Sequence, residues 1–153
     1  MNIWRPRQNI EVKALGLVWR DGLLLASEIC RDDGTVDGVR PLGGRVEFGE
    51  TWCDALVREF REELGVVVEV VGTPMVLENI YMHQGMVGHE VAFVCDVTFP
   101  ADAYVSEGPI EYFEDNGDKC LARWYDVAQL DCGALELYPT GLKTQLRERS
   151  QST

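Results

Sequence analysis

The apolar positions fall into short blocks with two different periods. Residues 12–19 and 23–29 are nearly continuous apolar runs, separated by Arg20-Asp21-Gly22. That tripeptide is a turn signal between two strand-length runs, so the pattern predicts a β-hairpin. Residues 30–39 are polar and glycine-containing and read as a loop. Pro41-Leu42-Gly43-Gly44 then leads into residues 45–49, an irregular glycine-bearing segment. A helix is predicted over residues 51–64. Thr51 is its N-cap, Asp54 stands three positions on as in a capping box, and Gly65 supplies a left-handed stop. Residues 66–71 are rich in valine and predict a strand. Residues 75–81 and 90–98 predict two more, with Gly85 and Gly88 marking the turn between them. Residues 100–118 read as a long acidic connection, the kind of loop that is often functional. A strand over 120–125, a helical turn over 126–130 and a helix over 138–149 with Leu142 and Leu146 on one face complete the chain. Strands and helices are mixed without regular βαβ alternation, which predicts α+β layers in a single domain over residues 1–153.

The helix over 51–64 carries two stripes rather than one. At about 100° per residue, Cys53, Leu56, Val57, Phe60 and Leu64 form an apolar stripe facing a core. Glu59, Glu62 and Glu63 form a second stripe, with Arg58 one turn before Glu62. Like charges at these spacings repel. Carboxylates in a last turn also face the negative end of the helix dipole. A solvated acidic face is the plain alternative, but three such carboxylates together are locally unfavourable unless a cation repairs them. Local rules tend to fail at functional sites. Magnesium suits the case, since it takes oxygen ligands from a few carboxylates and from substrate phosphates.

The wider spacing carries more information. Gly44 is followed by five residues and Glu50, then by seven more and Arg58-Glu59-Phe60-Arg61-Glu62-Glu63-Leu64-Gly65-Val66. This resembles the Nudix box, Gly-x5-Glu-x7-Arg-Glu-U-x-Glu-Glu-x-Gly-U, where U is a bulky apolar residue. Phe60 is a mild departure, because U is usually aliphatic. The resemblance implies an α/β/α sandwich around a mixed β-sheet. It implies metal-dependent hydrolysis of the diphosphate linkage in a nucleoside diphosphate derivative, such as a nucleotide sugar, a nucleoside triphosphate or a dinucleoside polyphosphate. It implies Mg2+ or Mn2+ held by Glu59, Glu62, Glu63 and the Gly43 carbonyl. Glu59 or Glu62 would be the base, and Arg58 would orient the glutamates. Gly44, Glu50 and Gly65 support the motif. Some relatives recruit an acid from a later loop, and Glu111, Glu114 and Asp118 are the candidates here. Tyr81, His89 and Glu90 lie beyond the box, where substrate contacts are expected. The same analogy implies a homodimer. The alternative reading is a non-catalytic Nudix-fold nucleotide-binding or regulatory module, although such modules usually lack one of the box glutamates.

Composition narrows the partners. With 26 acidic against 14 basic residues, the net charge is −12. That disfavours a nucleic-acid polymer, which is gripped by clustered Lys and Arg, and leaves a small anionic nucleotide as the expected substrate. No run approaches the roughly 20 apolar residues of a membrane span, and residues 1–7 lack a signal-like apolar core. A cytoplasmic protein with no membrane partner is expected. The five cysteines form no Cys-x-x-Cys pair, so neither a disulfide framework nor zinc is expected. His83 and His89 read as structural, and Trp4, Trp19, Trp52 and Trp124 as core residues or base-stacking surfaces.

Overall fold

The computed structural model describes residues 3–104 and 108–151. Its strands are β1 (Ile10–Leu17), β2 (Trp19–Arg20), β3 (Leu23–Cys30), β4 (Val36–Arg45), β5 (Val70–His83), β6 (Met86–Val97), β7 (Ile110–Phe113), β8 (Lys119–Tyr125) and β9 (Glu136–Leu137). Two α-helices accompany them, α1 (Trp52–Leu64) and α2 (Leu142–Gln151), with one 3-10 turn at Val127–Gln129. The strands form one mixed sheet in the order β5-β6-β1-β4-β3-β8-β7, with β2 on β3 and β9 on β4. The β1–β6 and β4–β9 pairings are parallel and the others antiparallel. β4 joins the two halves: its residues 36–41 pair with β3 and its residues 42–45 with β1.

Alternating side chains serve two cores. Ala14, Leu25 and Leu42 pack with Leu56, Phe60 and Leu64 of α1. Their neighbours Leu15, Leu24 and Ala26 pack with Leu142 and Leu146 of α2 on the other face. A sheet covered on both faces needs apolar residues at every position, which is why β1 and β3 are continuous apolar runs rather than alternating ones. The result is the expected α+β sandwich of helix, mixed sheet and helix. Among the described residues no helix is long and apolar enough to cross a membrane.

Several predicted elements are redrawn. The opening hairpin is only β2–β3, closed by Asp21 and Gly22 at positive φ of 52° and 78°. β1 leaves it at Val18 and pairs with β4 and β6 instead. A run buried on both faces carries no polar alternation to say which strand it joins. β4 begins at Val36, within the expected loop over residues 30–39, and runs on through Gly43 and Gly44 to Arg45. Residues 66–69 lie outside any strand, and β5 starts at Val70 and crosses an irregularity between Val71 and Met75. The following turn is Gln84-Gly85, with φ of 49° and 82°. Gly88 lies inside β6. The acidic connection contains β7, and the closing helix starts later than expected, after β9.

α1 follows its signals closely. Thr51 Oγ1 accepts a hydrogen bond from the Asp54 backbone N–H at 3.1 Å, and Gly65 closes the helix at φ 67°. Trp52 stacks on Phe93 at 5.7 Å between centroids and 1° between planes.

Candidate active site

Arg58 ties the acidic stripe to the loop before the helix. Its Nε and Nη2 donate to the two oxygens of Glu50 at 2.7 and 3.0 Å, and Nη2 also donates to the Arg45 carbonyl at 3.0 Å. Its Nη1 donates to Glu59 at 3.0 Å and to Glu62 at 3.2 Å. Glu50 accepts in addition from the Glu47 backbone N–H at 3.1 Å. The hydrogen bonds from Arg58 hold the Glu50 carboxyl below its ordinary range. One planar guanidinium thus spaces three carboxylates that would otherwise repel.

Glu59 is 5% exposed and lies under β4. A Cβ on Gly44 would stand 2.4 Å from the Glu59 carboxyl carbon. A Cβ on Gly43 would stand 2.0 Å from the Ala14 carbonyl oxygen, and Gly43 has a φ of 149°. Glycine at these two positions lets β4 close on β1 above and leaves room for a carboxylate below. Glu59, Glu62 and Asp115 each present an oxygen, and the three oxygens lie within 4.8 Å of one another. On the other side of Glu59 stands Glu63, facing Arg40. Burial raises both carboxyls above the usual range, and Glu63 shares a hydrogen bond with Glu59. Three acidic oxygens that close, one of them buried, form a donor set for a hard divalent cation.

The acids border a cleft of about 600 Å3. Glu59, Glu63, Glu114, Asp115 and Asp118 line it, together with Gly43 and Gly44. Arg7, Lys13, Arg40 and Arg45 line it as well, and so do Trp4 and Arg5 from the chain before β1. Lys13 and Arg45 are cross-strand partners. Burial, and then the nearby Arg40, lower the Lys13 ammonium from its usual range. The cleft therefore pairs a carboxylate cluster with a wall of cations, in a chain whose net charge is −12.

The expected residues divide accordingly. Glu59 stands between Glu62, with which it shares the oxygen cluster, and Glu63, to which it is hydrogen-bonded, and Arg58, Glu50, Gly43 and Gly44 stand around them. Gly65 stays structural, at the helix stop. Of the loop acids, Glu114 lines the cleft but is engaged by Arg40 at 2.9 Å. Asp118 lines it beside Asn116, accepting from the Asn116 side chain at 3.0 Å. Glu111 is a correction: it pairs with Lys119 at 2.9 Å on the outer side of β7 and does not line the cleft. Asp115, not among the expected loop acids, is the one whose oxygen stands with those of Glu59 and Glu62. The chain around it is a turn between β7 and β8, whose last pair is Phe113 and Lys119. Only that register shows which acid stands at the tip.

Beyond the box, Tyr81 lies over Gly88, where a Cβ would meet its ring at 2.3 Å. Burial first, and then Glu90 and Glu11, push its phenol up to about 12. Tyr81 and Glu90 lie close to Glu11 of the cleft, but neither is among the lining residues. His89 is also a correction. It follows Gly88 and precedes Glu90 in a strand whose side chains alternate, and its Nε2 sits 3.5 Å from Glu78 away from the cleft. Trp4, read as a core residue or a base-stacking surface, lines the cleft; the cations were missed at the sequence level, because residues 1–9 carry no periodic signal and Lys13 sits in an apolar run.

The helix, sheet and helix layers, with a Gly-x5-Glu-x7-Arg-Glu box presenting its glutamates into a cleft, define a Nudix-type domain. Residues 10–146 match the family model for the NUDIX domain, and the chain belongs to the Nudix family of hydrolases. Solved structures share the fold at low identity. The MutT NUDIX hydrolase from Burkholderia pseudomallei is 22% identical, with 90% of this chain and 98% of that one covered at a TM-score of 0.57. The MutT protein from Methanosarcina mazei Go1 is 18% identical, with 99% and 100% covered at 0.59. The Ap4A hydrolase of C. elegans is 16% identical, with 94% and 98% covered at 0.57. No curated protein gives a significant match.

Proposed function

We propose that the protein hydrolyses a phosphoanhydride bond in a nucleoside diphosphate derivative, with magnesium or manganese held by Glu59, Glu62, Glu63, Asp115 and the Gly43 carbonyl. The observation that carries the reading is the meeting of Glu59, Glu62 and Asp115 within 4.8 Å at the end of a cleft walled by cations. The donor set fits a hard divalent ion: it is all oxygen, partly buried, and given room by Gly44. When bound, such an ion neutralises the diphosphate, acidifies a water and aligns attack in line with the leaving oxygen.

The chain's own residues supply the rest. Arg45 and Lys13 receive the non-bridging phosphate oxygens, and Arg40 stands behind them. Water attacks one phosphorus, the bridging P–O bond breaks, and the departing phosphate takes the electron pair. Glu59 or Glu62 takes the proton released by the water. Arg58 and Glu50 hold those carboxylates in place, a role in which small displacements are costly.

The test is phosphate release from nucleoside triphosphates, nucleotide sugars and dinucleoside polyphosphates, with magnesium and then with EDTA. Turnover of at least one substrate, lost on chelation, is the expected result. Absence of metal-dependent turnover across the whole panel, with nucleotide still bound, would instead establish a non-catalytic binding module.

A further inference from the structure

The acidic end of the cleft accounts for phosphate chemistry but leaves the rest of a substrate without a partner. Apart from glycines, the lining is almost wholly charged or polar. Trp4 is the one aromatic residue among the described residues that line it. It is 42% exposed, a large value for a tryptophan held in a defined position.

That position is well built. The ring of buried His83 meets Trp4 edge-on, with centroids 5.1 Å apart and planes at 62°. The next residue, Arg5, donates twice to Asp32 at 2.9 and 2.6 Å, and its Nη1 also donates to the Trp4 carbonyl at 2.9 Å. Asp32 is itself anchored, since its backbone N–H donates to Gln84 Oε1 at 2.8 Å. The segment before β1 is thereby pinned to the β3–β4 turn and to the β5–β6 turn, and Pro6 is buried beneath it. A tryptophan fixed this firmly, yet nearly half exposed inside a polar cleft, offers a flat apolar surface, and its ring contact with His83 is angled rather than stacked.

Its place relative to the cations is also informative. From Gly44 above Glu59, the cleft wall passes to Arg45 and its cross-strand partner Lys13. It continues to Glu11, which Arg7, Lys13 and Arg45 approach at 3.8, 3.6 and 3.8 Å. Three cations thus gather about one carboxylate, with Glu47 beside Arg45 at 3.9 Å. Arg5 and Trp4, which precede Arg7 in the chain, line the same cleft. The wall thus runs from carboxylates through cations to an aromatic ring, which is the order of parts in a nucleotide approached from its phosphates.

Resting on the hydrolase reading of this cleft, we propose that Trp4 is the platform on which the substrate's nucleobase stacks, so that the protein selects base-bearing diphosphates over base-free ones. Stacking on one face accepts any base, because every base has a π-face. Trp4 therefore makes the site specific for nucleotides as a class.

The test uses equilibrium binding, so that it does not depend on turnover. The four common nucleoside 5′-monophosphates, and separately inorganic tripolyphosphate, are titrated calorimetrically into the full chain with magnesium. Trp4→Ala should weaken the monophosphates by about 10-fold or more, the range expected for loss of one stacked base. Tripolyphosphate binding should change by less than about 2-fold, since its contacts are electrostatic and away from Trp4. Trp4→Phe keeps a ring and should restore most of the nucleotide affinity. Unchanged monophosphate binding in Trp4→Ala would overturn the proposal, and so would an equal loss of both ligands, which would make Trp4 a prop for the segment. Failure of the hydrolase reading is seen separately, as Trp4-dependent nucleotide binding without turnover.

Discussion

Two adjacent glycines in β4 do different jobs, and single substitutions separate them. At Gly44 the obstacle to a side chain is the far end of Glu59, which is able to swing away. Gly44→Ala should therefore fold with a melting temperature near wild type, while metal-dependent turnover falls about 10- to 100-fold through displacement of one carboxylate. At Gly43 the obstacle is backbone, the Ala14 carbonyl oxygen, and φ is 149°. Gly43→Ala should cost about 3 kcal/mol or more of stability, read from the urea midpoint. If both variants lose stability equally, Gly44 is a packing residue and its link to Glu59 is incidental. The sequence motif marks Gly44 as required without saying why. The reason is a contact between residues fifteen apart, and it is visible only when α1 lies under β4.

At the scale of the element, α1 is a helix with a built-in conflict, and Arg58 is its resolution. The apolar stripe and both caps were legible because they depend on positions within one or two turns of each other. Arg58 was legible as a neighbour of Glu62, but its grip on Glu50 and on the Arg45 carbonyl was not, since these depend on how the preceding loop folds back. Arg58→Ala leaves Glu50 and Glu59 without their cation. The side chain is 27% exposed, so water offsets part of the loss and the expected cost is about 1–2 kcal/mol. Activity should fall further than this stability loss explains. Arg58→Lys keeps the charge but has no planar fork with which to hold Glu50 twice and reach Glu59 as well. It should recover stability more than turnover in parallel denaturation and rate measurements. Full recovery of both would mean that charge alone matters at this position.

For the whole molecule, the decisive event is the closing of the β7–β8 turn over α1. It brings Asp115 to Glu59 and Glu62 from more than fifty residues away in the chain. A ligand that binds the folded state alone stabilises it by mass action. Magnesium should accordingly raise the melting temperature of the wild-type protein. Asp115→Asn should shrink that rise and lower turnover by about 10-fold or more. Glu111→Gln, on the outer side of β7, should leave both unchanged. The reverse pattern would return the role to Glu111 and remove Asp115 from the site.

The sequence by itself determined the helix α1 with its caps, the carboxylate stripe and the family, because each is written in local spacing along one helix and the loop before it. Through the family resemblance it also implied a mixed sheet layered between helices. Only the tertiary structure decided which strands the apolar runs join, because a run buried on both sides looks the same beside any partner. It likewise decided that Asp115 rather than Glu111 meets the helix, that Lys13, Arg40 and Arg45 share one cleft, and that Trp4 lines it with them. These are contacts between segments distant in sequence, and their geometry is set by strand register and by the bend at β4 rather than by any pattern a short window of residues contains.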